Sequence, residues 1–154
     1  MSAIDTYTAV LPVDRACAQW LSRKLTAHRR VIGTRKGTRR LTPWVQAVYV
    51  LRFLIDGTRI KQLAVDNAFP KTTAYEYLWE GLDVLAGCAP TLAEAIDTAR
   101  RAGDAHIGLD GTLIPTNRAR IEGPTQGCDL FYSGKHHRHS ANLQVISAPD
   151  GFPL

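Results

Sequence analysis

The chain is short of cysteine, of long apolar runs and, over one stretch, of acid. Its three cysteines, Cys17, Cys88 and Cys128, lie far apart and form no CxxC pair. An odd, scattered set argues against a disulfide framework or a cysteine zinc cluster. It fits a reducing compartment, so a cytoplasmic location is expected. No stretch reaches the roughly 20 consecutive apolar residues of a bilayer-spanning helix, so no membrane partner is expected. The N-terminus MSAIDTYTAVLPVDR has no basic region ahead of an apolar one and does not read as a secretion signal. Residues 15 to 40 contain no Asp or Glu, yet hold nine of the nineteen Lys and Arg.

What is present suits a folded, basic protein. Hydrophobic residues make up 45% of the 154 and charged residues 21%, with a formal net charge of +5. That length suits one ordinary domain or two small ones, at roughly 100–200 residues per domain. The positive balance favours an anionic partner, nucleic acid or an acidic membrane surface.

The acid-free stretch starts as an amphipathic helix, with Val13, Cys17, Trp20, Leu21, Lys24, Leu25 and His28 on one side. It ends in VIGTRKGTRR, where Gly33 and Gly37 break the helix and leave a flexible basic loop. Arg35, Lys36, Arg39 and Arg40 of that loop are candidate phosphate contacts. A solvated linker accounts for the same composition.

LTPWVQAVYVLRFLIDG follows, with strong helix signals. Thr42 can cap, Pro43 suits the first helical position, and Gly57 suits the left-handed residue past the end. Leu41, Trp44, Val45, Val48, Leu51 and Ile55 make its apolar stripe. A short helix is expected over about 59–65, facing inward with Ile60, Leu63 and Ala64. Another begins near Thr72, facing inward with Ala74, Leu78, Leu82 and Leu85. About five residues separate them. This is the layout of a helix-turn-helix DNA reader, in which Lys71, Thr72, Thr73, Tyr75 and Glu76 would enter the major groove. A plain three-helix bundle has the same periodicity. Trp20, Trp44 and Trp79 read as helical core.

Thr91 and Glu94 have capping-box spacing, and Gly103 stops the connector helix they begin. From His106, read as a structural residue starting a strand, the character turns to β. HIGLDGTLIPT and SANLQVISA are strand candidates, and PDG at 149–151 is a turn before a returning segment, FPL. Asp110, in IGLDGTLIPT, has two readings. Pattern alone favours an Asp-Gly hairpin with IGL and TLI as its arms. The alternative is one continuous strand whose carboxylate faces a metal ion. His136, His137 and His139 have no Cys or acid cluster beside them, which argues against zinc. With Lys135 and Arg138 they suit phosphate contacts or a polar lead into a strand.

LDGTLIPTNRAR followed by YSGKHHRHSANLQVISAPDG resembles the start of the DDE-type nuclease domain of bacterial insertion-sequence transposases, related to Harbinger-type nucleases. Upstream, GTRRLTPWVQAVYVLRFLIDGTRIKQLAVDNAFPKTTAYEYLWEGLDVLA is similar to the helix-turn-helix preceding that domain. The resemblance runs from about Arg29 to Leu154. It implies an α+β chain: 1–40 an amphipathic helix and basic arm, 41–88 a helix-turn-helix, 89–103 a connector, and 104–154 the first strands of an RNase H-like domain. It implies that Asp110 is the first catalytic and metal-ligating acid, for Mg²⁺ or Mn²⁺. The family's second and third acids lie further along. Glu122, Asp129 and Asp150 do not match their motifs, so a fragment with one acid, binding metal weakly and inactive alone, is expected. Transposon-end DNA is the implied partner, with another copy or an intact transposase as protein partner. Such a fragment would act as a DNA-binding inhibitor of transposition or be the product of a broken element.

Overall fold

A computed structural model describes residues 11–154. Most of the N-terminal stretch read against a secretion signal lies outside the described residues. The chain is a mixed α+β protein, with helices followed by a small antiparallel sheet. It divides into two compact units, Met1–Ala89 and Pro90–Leu154. No helix among the described residues is long and apolar enough to cross a membrane.

The first unit holds α1 (Arg15–Val31), α2 (Pro43–Asp56), α3 (Ile60–Asp66) and α4 (Lys71–Ala86). Local chemistry sets the start of α1 and both ends of α2. Asp14 accepts from the Ala16 N–H at 2.9 Å, and Thr42 accepts from the Val45 N–H at 3.3 Å. Pro43 opens α2 where its missing N–H costs nothing, and Gly57 ends it at φ +63°. Leu21, Leu25, Val50, Leu63 and Leu78 are fully buried together with Tyr49. Each such aliphatic side chain contributes about 1.5–3 kcal/mol by leaving water.

The inward faces differ from the periodicity reading in two helices. In α1 the buried residues are Ala18, Leu21 and Leu25, while Cys17 and Trp20 are exposed. In α2 the buried residues are Gln46, Ala47, Tyr49, Val50 and Leu51, while Trp44, Val45 and Ile55 are exposed. The reason lies in the partner helix. Gly81 of α4 is buried, and a β-carbon there would collide with the Val50 side chain. The two helices approach where side chains are smallest, which turns the bulkier Trp44 outward. Trp79 is 58% exposed, so none of the three tryptophans sits in the core.

Four residues, Asn67 to Pro70, join α3 to α4. Ala68 there has φ +53°, a conformation that L residues other than Asn and Asp seldom adopt. Phe69 is buried between Tyr49 and Tyr77, with ring centroids 6.0 and 5.7 Å away. That plug holds the turn against the core.

The second unit holds α5 (Leu92–Ala102), β1 (Gly108–Pro115), β2 (Tyr132–Ser133) and β3 (Arg138–Ser147). Thr91 and Glu94 form the expected capping box, and Gly103 ends α5 at φ +79°. The sheet order is β1-β3-β2, all antiparallel. Asp-Gly is not a turn. β1 runs straight through it, with Asp110 opposite Val145 and Gly111 opposite Gln144. An Asp110–Gly111 hairpin would form a few bonds between short arms, whereas β3 pairs with all eight residues of β1. His106 precedes the strand and is exposed. The 149–151 turn forms as expected, with Asp150 Oδ1 accepting from the Phe152 N–H at 2.9 Å. The returning segment begins to pair, Ser147 bridging Pro153.

Candidate nucleic-acid interface and candidate metal ligand

The first three turns of α4 present one exposed row. Ala74, Tyr77, Leu78 and Gly81 point into the core. Thr72, Tyr75, Glu76 and Trp79, at spacings of three and four, therefore share the outer face. Lys71 is exposed at the first position, its Nζ 5.6 Å from the Tyr75 ring centroid. Thr73 is half-buried at the edge. The row offers a cation, hydroxyls, a carboxylate and two aromatic faces. Trp79 was missed as a member because a lone tryptophan reads as core. Its position four residues past Tyr75 was the available signal.

The basic segment after α1 is folded, not loose. Ile32 N–H donates to His28 O at 3.0 Å and Thr34 N–H to Arg29 O at 2.9 Å, closing α1. Gly33 and Gly37 take φ +66° and +80°, which lets the chain double back over so few residues. The return leg is stitched to the helices. Arg39 donates from Nη2 to Glu80 and lies over the Tyr77 ring, 5.2 Å from its centroid. Arg40 donates to Ala68 O at 3.2 Å, inside the α3–α4 turn. Leu41 N–H donates to Tyr77 Oη at 3.2 Å. Arg39 and Arg40 therefore anchor the segment, while Arg35 and Lys36 stay exposed at its tip.

Under the segment lies a polar network. Arg29 donates to Leu41 O at 2.9 Å and to Gln46 Oε1 at 2.6 Å. Burial lowers the Arg29 pKa most, and nearby Arg39 pushes the same way against the pull of Glu80. His28 Nε2 lies 3.8 Å from Glu80. One carboxylate thus faces three basic side chains.

Asp110 is exposed on β1, and its Oδ1 accepts from the Gly111 N–H at 2.8 Å. Thr112 and Ile114 share its face of the sheet, with Leu143 and Val145 opposite on β3. Lys135 and His136, in the turn between β2 and β3, line a shallow 390 Å³ hollow with Gly111, Thr112 and Gln144. They are brought beside the strand that carries Asp110. His137, at φ +50°, is exposed in the same turn. His139 instead packs edge-on against Tyr132, ring centroids 5.3 Å apart.

Asp129 and Asp150 of this unit have structural work. Asp129 accepts from the Arg120 N–H at 2.6 Å and the Phe131 N–H at 3.1 Å. Desolvation opposes its charge, but the backbone N–H groups win and hold its pKa below the ordinary value. A divalent ion needs several oxygen donors. Among the described residues no three His, Cys, Asp or Glu side chains gather where they could hold one. One exposed carboxylate does not by itself fit a divalent-metal site.

No family model, curated protein or solved structure matches the chain.

Proposed function

We propose that this chain is the DNA-binding portion of a DDE-type transposase, with α3 and α4 as its helix-turn-helix and transposon-end DNA as its ligand. The carrying observation is the outer row of α4, where Lys71, Thr72, Tyr75 and Glu76 are exposed over the first two turns, as a groove-reading helix requires. The four-residue turn with its left-handed residue supports the same reading. So does the net charge of +5. Asp110 is the position that the resemblance gives to the first metal-ligating acid, within an RNase H-like sheet. A cytoplasmic location accords with three free cysteines.

Fluorescence anisotropy with labelled duplexes tests this. DNA from the ends of the encoding element should bind at least about tenfold tighter than random duplex at physiological salt. Equal, weak binding of both would overturn the reading.

A second reading is a DNA-binding regulator that inhibits transposition without cutting. The exposed opening turns of α4, which can engage DNA without any nuclease chemistry, favour it. The purified chain would then fail to nick end DNA with Mg²⁺ or Mn²⁺, yet would lower the activity of an intact transposase sharing those ends, by occupying them or by assembling with it. Cleavage abolished by Asp110→Asn would exclude it.

A further inference from the structure

Between the C-terminal turns of α1 and the start of α2 lies an open cavity of 660 Å³. Its wall carries five cations, Arg29, Arg30, Arg35, Lys36 and Arg39, and no acid. Thr42 and Pro43, at the N-terminus of α2, close one side. Among the described residues, only Arg39 of the five has a carboxylate within ion-pair distance. Glu80 also attracts Arg29 from further off, but Arg30, Arg35 and Lys36 face no carboxylate at that range. Like charges so placed repel, and the one acid near them, Glu80, is already paired with Arg39.

The five cations fall into two kinds. Arg29 and Arg39 are rigid, each hydrogen-bonded to a fixed acceptor on another element. Each also keeps its Nε–H buried without an acceptor. Arg30, Arg35 and Lys36 are exposed, and no side-chain bond restrains them. Two anchored cations and three exposed, unrestrained ones are suited to enclosing an anion. The N-terminal end of α2 adds a favourable partial charge on the same side. The cavity is much larger than a phosphate, so it can admit a phosphodiester with its flanking sugars.

We propose that this cavity is a phosphate-binding site, which seats one backbone phosphodiester of a nucleic-acid strand apart from the contacts of α4. It rests on the DNA-binding reading above and adds a second, sequence-independent anchor to it. The tether from Arg40 to Ala68 links this segment to the α3–α4 turn, so a strand held in the cavity is held in register with α4.

The test uses the full chain and three variants, Arg35→Ala, the triple Arg30→Ala/Arg35→Ala/Lys36→Ala, and Thr72→Ala/Tyr75→Ala. Circular dichroism should show all three folded, since none of the substituted side chains makes an intramolecular hydrogen bond to another element. Binding to end DNA and to random duplex is measured from low to high salt. A single seated phosphate predicts that the triple variant weakens both DNAs by the same factor. The slope of log K against log salt should then fall by about 1, the value for one phosphate. Arg35→Ala should weaken both DNAs in the same direction by a smaller factor. Inorganic pyrophosphate should raise the melting temperature of the wild type and not of the triple variant.

The outcomes separate the two claims. If the wild type binds no DNA, the DNA-binding reading fails and this one with it. If the wild type binds and the triple variant binds equally well, only the cavity proposal fails. A slope change near 3 would mean three separate surface contacts and no single seat, which also overturns it. Pyrophosphate stabilisation with unaltered DNA binding would assign the cavity to a free phosphate compound and overturn the nucleic-acid ligand.

Discussion

Gln46, fully buried in α2, donates from Nε2 to Glu80 Oε2 of α4 at 2.8 Å, while its Oε1 accepts from Arg29 of α1 at 2.6 Å. The amide has one sensible orientation, since its oxygen faces a guanidinium and its nitrogen faces acceptors. Its Nε2 also donates to Tyr77 O at 3.0 Å. A single side chain therefore ties three helices, and a charged one at each end depends on it.

Gln46→Leu keeps the volume and removes these bonds. Arg29 loses an acceptor and Glu80 a donor, both largely inside. The expected loss is about 2–3 kcal/mol, as for a buried group left unpaired. Urea unfolding should show a lower midpoint at unchanged slope. A shift under about 0.5 kcal/mol would mean that the network contributes little.

The approach of α2 to α4 at Val50 and Gly81 predicts a coupled pair. Gly81→Ala gains helix propensity of about 1 kcal/mol but forces a β-carbon into Val50, where overpacking costs about 1–3 kcal/mol. Net destabilisation is expected. Val50→Ala alone opens a cavity and also destabilises. Combined, the two should cost less than their sum by about 1 kcal/mol or more. Strict additivity in a double-mutant cycle would show that the helices do not meet there.

Tyr49 should resist alkali. It is 2% exposed and donates to Ala74 O at 2.7 Å, and burial pushes its pKa up from 10.0 to about 12. A pKa raised in the folded state means that full stability is present below pH 10 and is lost as pH rises through about 12. The loss reaches about 2–3 kcal/mol at the top of that range. Ultraviolet titration should find one tyrosine ionising last, together with unfolding. Tyr49→Phe should flatten this alkaline limb and cost about 1 kcal/mol at neutral pH.

On α4, Lys71 and Thr72 should behave differently toward DNA. Lys71→Ala is expected to weaken end and random duplexes alike and to reduce the salt slope by about 1. Thr72→Ala should weaken end DNA by roughly tenfold while leaving random duplex unchanged. Salt-dependent anisotropy on both duplexes checks this. Loss of discrimination in neither α4 variant would place sequence reading elsewhere.

Much of the candidate interface was legible from residue order. Lys71, Thr72 and Tyr75 do fall exposed on the opening turns of a helix after a short turn. The split between anchoring Arg39 and free Arg35 was not legible. It depends on Glu80 and Tyr77, some forty residues further along. The α2 stripe misled for a related reason. Counting apolar residues favours Trp44 and Ile55, but the deciding partner is a glycine, which no hydropathy pattern registers.

The ends of α2 and α5 were determined by sequence alone. Thr42 with Val45, Thr91 with Glu94, and the left-handed Gly57 and Gly103 each complete their bonding within about five residues, so neighbours suffice. Tertiary structure decided which way α2 faces, what the arginines of the basic segment do, and whether Asp110 turns the chain or stands on a strand. Residues distant in sequence answer those questions, because helix approach, ion pairing and strand register are set by partners that only folding brings near. Asp110 stands on a strand because β3, beginning twenty-eight residues later at Arg138, pairs across the whole of β1.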